Sequence, residues 1–457
     1  MRDTLNDQQP SDVPPSPAPW HPPPSGTTPA PASNTSGSQR QIISYFSILT
    51  FTFGTVGLLA GLPIAFYQKD VLHLSAVAVS VLGCITAIPT YFGFLFGYMR
   101  DRCRPSVWGD RAYILGSALL SAAGYLMLTA GQITYAKLVI VMIFVTACGQ
   151  MTLTVIQAIS TIVAQRDGAT GRLSAVYWLA TTLPGAISPV IGGWLSGHIK
   201  MDKTFLLVGA ASVIVAMLAF WRPAAVYNHL SEHHSRRHTL WVYIVHLARH
   251  KPIWPAVAIN GVWNFGLCYG TAAFFYLTSH VPGRAHLNDT QYGVWLSLQY
   301  VGFLPTAALY GVASRYWSLR RLLWIGTPIA SLQGLLFLVL HTVFEAYLAS
   351  IIFGVVAGVA STVFWDLLMR SAPKGLEGTA VTLGNAVISV FTTISGLYGA
   401  YLYQRGYFVP SVWANTVLYL LMVPMLLLIP RWVTTSHDSG EGPVDPALLQ
   451  SATEPAQ

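Results

Sequence analysis

Charge is scarce in this chain: acidic and basic residues together make up 9% of its 457 positions, against about a quarter in an ordinary soluble domain. That scarcity argues against a water-exposed globule. Cysteine is almost as rare. Cys84, Cys103, Cys148 and Cys268 fall in no metal-type or redox-type spacing, so free thiols and no metal centre are expected. The sequence has no Gly-rich phosphate loop, no Ser/His/Asp set and no paired carboxylates, which leaves ATP-driven pumping and hydrolysis without support. No enzymatic activity and no cofactor are expected. Residues 1–40 lack a basic stretch followed by an apolar one and hold ten of the 28 prolines. They read as a disordered Pro-rich tail and not as a signal peptide.

Apolar sequence is abundant. Hydrophobic residues are 53% of the chain, and they gather into runs at about 43–67, 74–99, 112–131, 136–164, 173–197, 204–221, 253–278, 292–313, 322–341, 347–370, 378–403 and 411–430. Each is close to the roughly 20 residues that cross a bilayer as a helix. A membrane barrel would show shorter alternating segments, so the sequence predicts an all-α membrane protein with twelve transmembrane helices. Counting Lys and Arg in alternate loops places 19 on one side and six, Lys69, Lys137, Lys200, Lys203, Arg284 and Arg405, on the other. The basic-rich side is the cytoplasmic one by the positive-inside rule, which puts both termini in the cytoplasm; the plasma (inner) membrane is the expected location. The net charge of +8 sits at the ends of apolar runs, a distribution that speaks against nucleic acid as a partner.

The longest internal loop, 222–252, divides the chain into bundles at 41–221 and 253–431, followed by a disordered tail at 432–457. The loop carries five basic residues and the histidines His229, His233, His234, His238, His246 and His250. With only Glu232 as an acidic partner nearby, it reads as an amphipathic connector and not as a zinc site. The stretches that begin at Gly97 and at Gly311 both run from a glycine to arginines before the next span, a weak internal echo of two six-helix halves. Secondary carriers are commonly built this way, with a solute site at the midplane between repeats.

The sharpest local pattern is Gly97-Tyr-Met-Arg-Asp101-Arg102-Cys-Arg104, continuing to Gly109-Asp-Arg111. It resembles the loop between spans two and three of the major facilitator superfamily. A glycine there lets helices approach, an aspartate can face a helix N-terminus, and arginines can pair with carboxylates or helix C-termini. The resemblance implies gating roles for Gly97, Asp101, Arg102 and Arg111; a loop that only sets topology is the competing reading. Within that superfamily three stretches are similar to the folate–biopterin transporter family: Leu62-Pro63-Ile-Ala-Phe66-Tyr67-Gln-Lys69-Asp70, the segment Trp108 to Tyr113, and Pro373-Lys-Gly375-Leu-Glu377-Gly378-Thr379. Glu377 joins the gate candidates on this ground. The family resemblance implies proton-linked or exchange transport of pterin-like or other organic solutes. The chain departs from it in span four, where Gln157 stands in place of an acidic residue and cannot titrate.

In the fold so implied, spans one, four, seven and ten line the central site. Span four presents Gln150, Thr154, Gln157 and Thr161 on one helix face; span seven adds Asn260, Trp263, Asn264 and Tyr269, and span ten adds Trp365. Amides and indoles suit a neutral or weakly charged planar solute, although such residues also join helices to one another. Asp366 is the one carboxylate inside an apolar run. It is a candidate for coupling transport to an ion, with a local pair to Arg370 as the alternative. The stripe Thr382, Asn385, Ser389, Thr392 and Gly396 reads as packing, and Leu183-Pro184-Gly185 to Gly193 reads as a kinkable segment similar to an element of exchanger-type members. The expected function is a secondary transporter for a small organic solute such as a pterin-like compound, a sugar or another planar metabolite. Its partners are that solute, the lipid bilayer and, where transport is coupled, an ion. The alternative is a non-transporting membrane assembly factor or receptor, for example for pigment–protein complexes.

Overall fold

The computed structural model describes residues 36–102, 108–166, 170–227, 253–279, 284–371 and 377–429, with the backbone alone at 36–39, 98, 101–102, 161–166, 170–178, 224–225, 307, 311–312, 314–315, 369–370 and 377–383. The expected tails and most of the central loop, with its six histidines, lie outside the described residues.

Continuous apolar sequence leaves the backbone no polar partner but itself, and the chain answers with helix. The first half comprises α1 (Ser36–Phe66), which passes into a π-helical turn (Tyr67–Val71), then α2 (Ala76–Thr86), α3 (Ile88–Tyr91), α4 (Gly93–Arg102), α5 (Asp110–Thr129), α6 (Tyr135–Arg166), α7 (Thr170–His198), α8 (Met201–Leu218) and α9 (Ala224–Tyr227). The second half comprises α10 (Ile253–Trp263), α11 (Thr271–Thr278), α12 (Asp289–Tyr316), α13 (Leu319–Leu332), α14 (Val343–Arg370), α15 (Glu377–Gln404), α16 (Phe408–Leu420) and α17 (Met422–Met425). No strand occurs among the described residues. Eight helical stretches there are long and apolar enough to cross a membrane: Arg40–Val71, Asp110–Thr129, Tyr135–Ser160, Met201–Leu218, Leu319–Val339, Val343–Leu368, Gly384–Gln404 and Phe408–Leu428. Large apolar side chains such as Ile140, Leu309, Phe344 and Leu427 remain exposed on them, as a lipid-facing surface requires.

Some of the apolar runs are interrupted. The run 74–99 is three helices with joints at Ala87 and Phe92, and Pro89 near the first joint has no N–H to continue the ladder. The run 253–278 opens between α10 and α11. There the Leu267 N–H is taken at 2.9 Å by the Asn415 side-chain oxygen of α16, and Gly270, at φ 57°, starts α11 in a conformation few other residues adopt.

Packing separates the chain into cores. One apolar cluster runs from Ile42 to Tyr227 and another from Ile253 to Ile429. In a third, Leu62 and Phe66 of α1 insert among residues 268–412. The two halves also meet along α7 with α12 and along α2 with α15. On α7, Gly185, Pro189 and Gly193 recur every fourth residue on one face. A Cβ at Gly193 would collide with the Asp289 carbonyl, one at Gly293 with the Pro189 carbonyl, and one at Gly185 with the Tyr300 ring. The segment read from sequence as a kinkable span is thus the surface on which one half touches the other at backbone contact. The opposite face of α12 meets α14 in the same way, through Gly302 and Gly354 against the carbonyls of Ile351 and Gln299.

Replacing Gly293 with valine should therefore cost about 1–3 kcal/mol of stability, the usual range for overpacking. Gly57, on exposed α1 surface with open space around it, accepts alanine with no loss, since alanine favours helix by about 1 kcal/mol. Thermal unfolding of the purified variants in detergent checks both; equal midpoints for Gly293→Val and the parent would contradict the crossing.

Candidate functional site

The polar residues expected to line a central chamber divide into two groups by what they touch. Asn260 is 4% exposed, and its amide donates to the carbonyls of Ala256 at 3.0 Å and Phe364 at 2.9 Å. It fastens α10 to α14. Trp263 donates from Nε1 to Ser361 Oγ at 3.1 Å and packs its ring against Phe364 and Tyr419, while Tyr419 Oη donates to the Trp263 carbonyl at 2.7 Å. Thr154 is buried and donates to the Gln150 carbonyl at 2.8 Å. Asn260 and Trp263 thus hold helices together, while the Thr154 hydroxyl is spent within its own helix.

Gln150, Gln157, Asn264 and Trp365 are half-buried. A Cβ at Gly93 would lie 2.8 Å from Gln150 Nε2, so the Gln150 amide reaches across to α4. Asn264 donates to the Asn260 carbonyl at 2.9 Å, which satisfies a backbone group at the open end of α10. Asp366, beside Trp365, accepts a 2.7 Å hydrogen bond from Tyr310 Oη of α12. The sequence pattern offered Arg370 as the partner of Asp366, four residues along the same helix. The structure adds a tyrosine from another helix, and the Arg370 side chain lies outside the described residues.

The gate candidates lie at the basic-rich end. Gly97 sits on α4, where an added Cβ would be 3.8 Å from Thr154 Cγ2, an ordinary contact. The side chains of Asp101, Arg102 and Glu377 lie outside the described residues. Arg111 stacks its guanidinium over the rings of Trp108 and Tyr227, at 5.0 and 5.6 Å. Beside it Asp110 takes a bidentate pair from Arg100, at 2.8 and 3.0 Å. Tyr227 in turn shares a 2.6 Å hydrogen bond with Tyr45. These contacts of Arg111 tie α1, α5 and α9 together within the first half.

Among the described residues, contacts between halves occur midway along the seam and at its basic-poor end. Midway, Tyr91 Oη donates to Thr393 Oγ1 at 2.8 Å and Ser80 Oγ donates to the Gly396 carbonyl at 3.3 Å, joining α2 and α3 to α15. At the basic-poor end Lys69 crosses from the π-helical turn to the last turn of α11. Its ammonium donates to the Thr278 carbonyl at 3.0 Å and to Thr278 Oγ1 at 2.9 Å, 5.6 Å above the Phe274 ring. Nearby, Ser196 of α7 donates to Asp289 Oδ2 at 2.8 Å. Phe66, Phe274 and Tyr292 interlock edge to face beneath, with centroids 5.0 to 6.2 Å apart. Burial raises the Asp289 carboxyl above the ordinary aspartate range; the Ser196 hydrogen bond opposes this, Asp70 adds to it and Lys69 offsets it. Lys69 stands in a stretch that sequence reading singled out, but its partner lies 209 residues away. Asp289 carries no sequence signal beyond a first-turn acid.

Comparison with known proteins follows the same outline. A model of the Major Facilitator Superfamily matches residues 44–395. A folate-biopterin transporter from Synechocystis sp. is 23% identical over 412 residues, which cover 85% of this chain and 80% of that protein. Among solved structures, a POT family transporter in complex with 5-aminolevulinic acid superposes with a TM-score of 0.68 at 14% identity, covering 86% of this chain and 96% of that one. A D-xylose-proton symporter superposes with a TM-score of 0.64 at 15% identity, covering 88% and 99%.

The Tyr310–Asp366 contact generates a test of its own. In a double-mutant cycle of Tyr310→Phe and Asp366→Asn, thermal unfolding should return a coupling of about 0.5–3 kcal/mol, the range for residues in direct contact. Losses that add to within about 0.5 kcal/mol would show that the hydrogen bond carries no weight.

Proposed function

The chain belongs to the Major Facilitator Superfamily, and from that premise we propose that it carries a small planar organic solute of the pterin type across its membrane by alternating access. It is an integral, multi-pass membrane transporter and not an enzyme. The finer reading is twelve spans in two six-helix halves that rock about a midplane site, with both termini and the basic-rich end in the cytoplasm. The observation that carries it is the seam. Helices from opposite halves meet face to face, α7 with α12 and α2 with α15, through glycine-permitted backbone contacts and a few hydrogen bonds. At the α7–α12 crossing such a joint can pivot, because backbone meets backbone there, while opening the basic-poor end also parts Phe66 from Phe274 and Tyr292.

The solute class follows from chemistry together with likeness. Gln150, Gln157, Asn264 and Trp365 remain half-buried while Asn260 and Trp263 are committed to packing. Amide groups can match the donor and acceptor edge of a fused heterocycle, and an indole can stack on its face. The similar Synechocystis protein is named for folate and biopterin, which favours a pterin over a sugar or a peptide. Gln157 cannot exchange a proton, and Asp366 is the intramembrane carboxylate available for coupling, held by Tyr310. Exchange or facilitated diffusion therefore fits as well as symport does.

Counterflow in proteoliposomes tests this reading. Vesicles loaded with unlabelled biopterin should accumulate labelled biopterin transiently, while vesicles loaded with xylose or a dipeptide should not. Trp365→Ala should raise the half-saturating concentration about tenfold, the equivalent of one stacking contact of about 1.4 kcal/mol. Absence of counterflow with every pterin would overturn the solute assignment, and absence with every solute would overturn transport.

A further inference from the structure

Lys69 and Asp289 occupy the one end of the seam where both halves contribute a charged side chain to a cross-half hydrogen bond among the described residues. Lys69 caps a helix C-terminus. The last-turn carbonyls of α11 find their partners outside the helix, Tyr276 in the Ser279 hydroxyl and Leu277 in the Leu287 N–H, and the Lys69 ammonium takes the Thr278 carbonyl at the negative end of the helix dipole. Thr278, Phe274, Phe66 and Tyr292 are all buried, so the contact sits on a closed aromatic floor. Asp289 starts α12 ahead of its apolar run, and its carboxylate is held by Ser196 where the α7 and α12 backbones touch.

The groups facing Asp289 can be named element by element. The π-helical turn brings Lys69 and Asp70, which lie 3.8 Å apart. α7 brings the Ser196 hydroxyl, while the exposed His198 ring is stacked on Trp194. α11 brings Thr278. One cation thus faces two carboxylates, and neutralising Asp289 leaves a balanced pair. We infer that Lys69 and Asp289 form a two-point clamp that shuts the basic-poor end, and that protonation of Asp289 tightens it, so that acid closes this end and alkali opens it. The clamp rests on the alternating-access reading above and adds to it the identity of one gate and the sign of its response to protons.

The sign follows from linkage. Opening hydrates Asp289, and hydration favours its ionised form. Burial in the shut state raises its pKa, so the shut state holds the proton more tightly and gains stability as pH falls through that raised value. As pH rises the carboxylate ionises and the balance moves to the open state, by at most about tenfold per pH unit for a single proton.

Electron–electron distance measurements on the full chain in nanodiscs test the clamp. Spin labels are carried on noncanonical residues at Lys200 in the first half and Arg405 in the second, both exposed at the basic-poor end. The parent should show mainly the short distance at the most acid pH at which it stays folded and a larger long-distance population at a second, alkaline value. Asp289→Asn keeps a group that can bond Ser196 and should hold the short distance at both values. Lys69→Met should raise the long-distance population at both, and Lys69→Arg should restore the parent's behaviour. A parent distribution that ignores pH, or an Asp289→Asn distribution that tracks the parent's, would overturn the clamp. Distances that behave as expected in a protein that moves no solute would support the clamp and overturn the transport reading, so the two failures are distinguishable.

Discussion

The arrangement depends on the contact between α7 and α12, where Gly193 and Gly293 bring two backbones together and leave no room for a side chain on either. One helix comes from each half, and the crossing is antiparallel: Gly193 meets Asp289 and Gly293, while Gly185 meets Tyr300. Proline is part of the same surface. Pro189 removes an N–H and frees a carbonyl one turn back, while its own carbonyl faces Gly293. A joint of this kind fixes distance without fixing angle, which is what the proposed tilting of one half on the other requires.

Around the joint, the two ends of the molecule are built differently. At the basic-rich end, among the described residues, charged and aromatic groups of the first half pair with one another, Arg100 with Asp110 and Arg111 with Trp108 and Tyr227. At the basic-poor end Lys69 and Ser196 reach across to the other half, so separating the halves there breaks charge-assisted hydrogen bonds. Among the described residues the seam is therefore bonded across at the basic-poor end by charged side chains, and the described charged groups of the first half at the other end pair internally.

Much of the helical framework was legible in the sequence because lipid-facing helices write themselves as long apolar runs with charges between them. The breaks were less legible. Pro89 announces the first, but the gap between α10 and α11 depends on Asn415, 148 residues from Leu267, and no local pattern records that pairing. The candidate site shows the same limit. A helical wheel places Asn260, Trp263 and Asn264 on one face, yet it cannot say whether that face meets a chamber or a neighbour; the structure turns Asn260 and Trp263 onto α14 and leaves Asn264 half-buried. Lys69 was visible inside a recognisable stretch, but its function lies in a partner on the opposite half. The gate candidates Asp101, Arg102 and Glu377 fall where side chains lie outside the described residues, and their roles stay proposals.

Movement of one half against the other about the α7–α12 crossing is the claim on which all of this turns. It is tested most directly by solute flux through the protein with Ser196 and Asp289 replaced by cysteines, before oxidation, after it and after reduction. A bridge between these positions should stop flux, and reduction should restore it. Undiminished flux with the bridge closed would contradict that movement.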